Sequence, residues 1–121
     1  MTTSTNANGH RRRELVKRIK ANSTHCIICG QPLQPSRKYP DPLSTVIDED
    51  LPRSRGGSPL DPRNCNAAHA QCNAFKGSMT LAETRQLLQL GANVNQPLTR
   101  GQKRELLNPG VGSWDSVAES Y

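Results

Sequence analysis

The sequence predicts a small α+β fold, a ββα unit stapled by zinc with helices flanking it on both sides. Three observations carry that prediction. Cys26 and Cys29 in "CIIC" stand two residues apart, and His69 and Cys72 in "HAQC" repeat the spacing, which lets a turn and a helix start close one tetrahedral site. The run "LSTVID", residues 43–48, reads as a strand, while "NCNAAHAQCNAFKG" offers a short second strand at 65–67 and a helix from His69 to Phe75 that Gly77 closes. Apolar residues make up only 33% of 121 with four aromatics, so the core is thin and a staple is needed.

Along the chain, "MTTSTNANG" (1–9) is polar and without apolar period, which predicts a disordered arm. "HRRRELVKRIKAN" opens a basic helix over 10–23, with Leu15, Val16 and Ile19 as its apolar stripe and Arg11, Arg12 and Arg13 as candidate phosphate contacts. Residues 24–78 form the metal-stapled unit. Its Gly- and Pro-dense loops between 30 and 63 are long enough to need a function or a ligand to hold them. Thr80 followed by Glu83 is a capping box opening "LAETRQLLQL", and Thr99 with Gln102 repeats it for "RGQKRELL", so 79–108 is a helical extension. Residues 109–121 read as a mobile tail in which Trp114 can dock.

Sixteen Lys and Arg against ten Asp and Glu give a formal charge of +6, which suits a polyanionic partner. No apolar leader opens the sequence, and nowhere do about 18 apolar residues run together, so neither secretion nor a membrane span is expected and a cytoplasmic location is. In a reducing compartment the four cysteines are better metal ligands than disulfides. Cys26, Cys29 and Cys72 then need a fourth ligand. His69 is the first choice and Cys65 the second, while His25, adjacent to Cys26, is awkwardly placed to reach the same ion. A zinc held by four side chains keeps no position for water, so its role is structural.

Against this basic background, three acids (Asp48, Glu49 and Asp50) are concentrated in "VIDEDLPRSRGG". In isolation an exposed acidic turn at a strand end would be the better explanation of them. The order CIIC, VIDE-x2-P-RSRGG, DPRNCN, HAQCN-x2-KG, however, resembles the HNH endonucleases over residues 24–78, specifically the small zinc-stapled kind often encoded by bacteriophages.

That resemblance implies a ββα-metal, treble-clef-like core that binds one catalytic divalent ion, Mg2+ or Mn2+, and cleaves phosphodiester bonds in DNA. It implies that Asp48 and Asn73 hold the ion, that Asn64 braces the loop, and that Arg53, Arg55 and Lys76 meet phosphates. By analogy it also offers phage packaging proteins as partners and a bacterial host cytoplasm as location. Glu49 stands where the family usually has the histidine that activates water. A free Glu, with a pKa near 4.3, is a weaker base near neutrality than His near 6.5, so some activity should be lost. The competing expectation is a catalytically silent zinc module that binds DNA or acts as a packaging adaptor.

Overall fold

The computed structural model of the protein describes residues 3–108. It is a small α+β fold: α1 (Thr3–Asn22), strand β1 (Thr45–Glu49), strand β2 (Cys65–His69), α2 (Ala70–Lys76), α3 (Leu81–Gln89) and α4 (Arg100–Leu107), with short 3-10 turns at Arg53–Arg55 and Pro62–Asn64. The predicted tail and Trp114 lie outside the described residues. Among those described, no helix is long and apolar enough to cross a membrane.

The N-terminal arm departs from expectation, since α1 is helical from Thr3 rather than from residue 10. Once the amphipathic stretch around Leu15 has nucleated a helix, each further residue adds a hydrogen bond without a new nucleation cost, so a polar segment of weak propensity can follow. Leu15 is the buried anchor of this helix, and Arg11 and Arg13 are exposed.

β1 and β2 pair antiparallel, with Thr45 opposite His69, Ile47 opposite Ala67 and Glu49 opposite Cys65. This register gives the hairpin two chemically distinct ends. His69 ends β2, and α2 starts at the next residue and doubles back along the strands. From Thr45 to Asp48 the strand advances about 10 Å, and from His69 to Lys76 the helix also advances about 10 Å. The two paths are equally long, so Lys76 arrives beside Asp48.

The core is small and falls into two clusters. Cys26, Ile28, Ala68 and Cys72 form one, and Phe75, Met79 and Leu87 form the other beneath α3 and α4. Both capping boxes close: Thr80 Oγ1 accepts from the Glu83 amide and Glu83 Oε1 from the Thr80 amide, and Thr99 and Gln102 do the same. Each satisfies two backbone donors that a helix start otherwise leaves orphaned.

Candidate functional site

The candidate metal centre begins with a tight turn. Residues 24–33 fold back on themselves, with His25 bridged to Pro32, and Gly30 makes the reversal at φ +77°, a left-handed conformation that a side chain would strain. The amide of Cys29 within this turn and that of His69 at the end of β2 approach Cys26 Sγ at 3.5 and 3.4 Å. The metal-binding atoms of Cys26, Cys29, His69 and Cys72 all lie within 4.8 Å of one another. Such a Cys3His group can hold a structural metal such as zinc.

His69 supplies Nδ1, which lies 3.4 Å from Cys29 Sγ and 3.9 Å from Cys72 Sγ. Its other nitrogen, Nε2, is 3.0 Å from the Pro32 carbonyl. A proton on Nε2 donated to that carbonyl leaves the Nδ1 lone pair facing the thiols, which is how an outer partner fixes the tautomer of a histidine ligand. The hydrogen bond from Cys72 pulls the Cys26 thiol down to about 4 against its burial, and the amides of Cys29 and His69 help. Cys72 is correspondingly pushed up, first by that same bond and then by burial. One thiolate therefore forms readily, and like charge resists the others until a cation is shared.

The alternative fourth ligand is excluded by position. Cys65 lies at the other end of β2, with Sγ against the Ser58 and Pro59 carbonyls and the Arg12 guanidinium. His25 is exposed and its Nδ1 faces Thr24 Oγ1 at 2.9 Å.

The acidic end of the hairpin is organised by burial. Asp48 is 4% exposed. Lys76 Nζ donates to its Oδ1 at 3.2 Å and to the Glu49 carbonyl at 2.7 Å, while Asp48 Oδ2 is buried with no hydrogen-bond partner. Burial pushes the Asp48 carboxyl up to about 6; the Lys76 charge pulls it back, and Glu49 and Asp50 add to the rise. Asn73 sits one turn before Lys76 on the same face of α2, half-buried, and its amide makes no hydrogen bond among the described residues.

Lys76 differs from expectation. It is 1% exposed and bonded inward, so it does not present its charge to a phosphate as Arg53 can. The cause is the matched length of strand and helix, which leaves a buried carboxylate as the partner within its reach.

Glu49 is gripped from both sides. Arg53 Nε donates to its Oε1 at 2.6 Å, and Arg12 reaches its Oε2 at 3.3 Å. Arg12 also donates to the Pro59 carbonyl at 2.7 Å, so this arginine pins α1 across the outer end of the hairpin. Arg55 is paired with Glu83 at 2.6 Å, across to α3. Arg53 remains largely exposed beyond its bond to Glu49.

Asn64 holds the intervening loop. Its Oδ1 accepts from the Leu51 amide at 2.9 Å, and its Nδ2 donates to the carbonyls of Leu51 and Ser58 at 3.0 and 3.1 Å. The loop closes so tightly that a Cβ on Gly57 would collide with the Leu51 carbonyl and stand 2.9 Å from Asn64 Nδ2. Glycine is required there by close approach rather than by φ.

The structure thus gathers Cys26, Cys29, His69 and Cys72 at one end, and Asp48, Glu49, Lys76, Arg12 and Arg53 at the other. The clamping role of Arg12 and the inward turn of Lys76 carried no local signal, because both depend on partners far along the chain. No family model matches this chain, and neither a curated protein nor a solved structure does.

Proposed function

We propose that the chain is a metal-dependent endonuclease or nickase of the HNH type, hydrolysing phosphodiester bonds in DNA on a ββα-metal, treble-clef-like core. The observation that carries this reading is the buried Asp48 carboxylate, with one oxygen held by Lys76 and the other unpartnered, inside the ordered motif series from Cys26 to Gly77. An orphaned carboxylate oxygen, with the unengaged side-chain amide of Asn73 one helical turn before Lys76, suits a hard divalent cation, so Asp48 and Asn73 would hold Mg2+ or Mn2+. Such an ion, when bound, offsets charge developing on the phosphoryl and leaving oxygens.

The chain's own residues do the rest. Lys76 fixes Asp48 through Oδ1 and leaves Oδ2 without a protein partner. Asn64 keeps the loop of residues 50–58 folded, so that Arg53 stands at the edge where a phosphate would arrive. A phosphate that draws Arg53 away from Glu49 frees one carboxylate oxygen to orient or deprotonate water, the role that histidine more commonly fills.

The test is nicking of supercoiled plasmid with added Mg2+ or Mn2+. Asp48→Ala should abolish it with zinc content unchanged. Full activity in Glu49→Ala would remove Glu49 from the mechanism.

A second reading is a catalytically silent zinc-stapled module that binds DNA or adapts a packaging protein. It is favoured by the saturation of Glu49 with arginine bonds and by the ammonium already beside Asp48. It predicts one zinc per chain, DNA binding without nicking, and no stabilisation by added Mg2+ or Mn2+.

A further inference from the structure

Helix α4 packs beside α3 and against the end of α2, where Lys103 Nζ donates to the Phe75 carbonyl at 2.7 Å and lies 5.4 Å from the Phe75 ring centroid. Between these helices and the Arg53–Arg55 turn is a cleft of about 300 Å3. Five cations border it, Arg55, Lys76, Arg100, Lys103 and Arg104, against the single carboxylate Glu83. Arg55 and Lys76 are compensated, by Glu83 and Asp48. Arg100 and Lys103 form no ion pair among the described residues, and burial lowers the Lys103 pKa, as expected of an ammonium drawn partly out of water without a counter-charge.

We propose that this cleft binds a phosphate of the DNA backbone through Arg100 and Lys103, extending the track of the strand beyond the Asp48 end of the hairpin. The proposal rests on the DNA reading above and adds a site in residues 79–108, outside the motif series. Continuity supports it: the exposed Arg53 is bonded to Glu49 and opens the turn that Arg55 closes, and Arg55 borders the cleft. A strand laid along the Glu49–Arg53 edge therefore leads into the cleft. Guanidinium forks match phosphate oxygens bidentately, and an anion there would relieve the uncompensated charge of Lys103. An acidic peptide shares the charge but not this continuity.

The experiment uses the full, unaltered chain in buffer without Mg2+ or Mn2+, so that binding is read without cleavage. Affinity for a short fluorescein-labelled DNA duplex is measured by anisotropy across a salt series. Each lost phosphate contact should reduce the slope of log affinity against log salt by about 0.9, so Arg100→Ala with Lys103→Ala, which together give up the one phosphate, should flatten it by about 0.9. Lys103→Arg should restore its share. If the double variant fails to fold, Arg100→Gln alone, at an exposed position, should flatten the slope by part of that amount. An unchanged slope overturns the site, as does loss of binding to a poly-glutamate probe with DNA binding intact.

Plasmid nicking by the unmodified chain separates the two readings. A flattened slope without nicking keeps the cleft and removes the hydrolase. Nicking with an unchanged slope does the reverse.

Discussion

Replacing Lys76 by Met tests whether the buried pair at the hairpin end governs the stability of the fold. Lys76 and Asp48 are 1% and 4% exposed, and Nζ stands 3.2 Å from Oδ1. The Asp48 pKa is raised from 3.8 to about 6, so at pH 7.5 the folded state carries a penalty of about 3 kcal/mol at 1.36 kcal/mol per unit. Without Lys76 the penalty grows, but only until the carboxyl protonates. That ceiling at pH 7.5 is about 5 kcal/mol for a group of ordinary pKa 3.8. The electrostatic loss is therefore at most about 2 kcal/mol, and about 1–2 after residual solvent screening. Leaving the Glu49 carbonyl without its donor adds about 1 kcal/mol.

The sign follows from the direction of the shift. A carboxyl whose folded pKa is raised weighs against the fold above its unfolded pKa, and that weight is relieved as pH falls through about 6. At pH 5.5 the ceiling drops to about 2 kcal/mol, close to what the unaltered protein already bears, and the deficit shrinks to the lost hydrogen bond. The assay is urea unfolding with saturating zinc at both pH values, read as the difference between variant and parent so that titration of the zinc ligands cancels. Equal stability at pH 7.5, or a deficit undiminished at pH 5.5, would refute the reasoning. If Asp48 also accepts a divalent ion, Mn2+ should raise the melting temperature of Lys76→Met more than that of the parent.

Other predictions concern the staple, the loop and the caps. Elemental analysis should find one zinc per chain, lost in Cys26→Ser together with cooperative unfolding and retained in Cys65→Ser. Asn64→Ala removes three hydrogen bonds and should cost about 2 kcal/mol in urea unfolding, while Gly57→Ala should cost more, because the Leu51 carbonyl it meets is backbone that cannot swing aside. Thr80→Ala should cost about 1 kcal/mol by loss of the α3 cap, read as a lower melting temperature.

Much of the local structure was legible in the sequence because its causes are local. Paired x2 spacings select the candidate metal ligands, since a turn and a helix start each bring residues at that separation to one side. Capping boxes are likewise written in four consecutive positions, and both α3 and α4 open on theirs. The strand boundaries shifted by one or two residues because register across the hairpin, rather than propensity in "LSTVID", decides which residues pair.

The sequence by itself determined which residues can hold a metal, where the capped helices start, and that acid is concentrated at 48–50 in a basic chain. Only the tertiary structure decided what each of those acids meets. Asp48 is buried against Lys76, Asp50 accepts from the Asn66 amide at 2.8 Å, and Glu49 is clasped by arginines from α1 and the 3-10 turn. Cys65 is set apart from the other thiols by its place at the far end of β2. The physical reason is that a partner's identity depends on matched path lengths and on burial: three strand residues and seven helix residues span the same distance, and a charge brought out of water along them must take whichever counter-charge stands at the end.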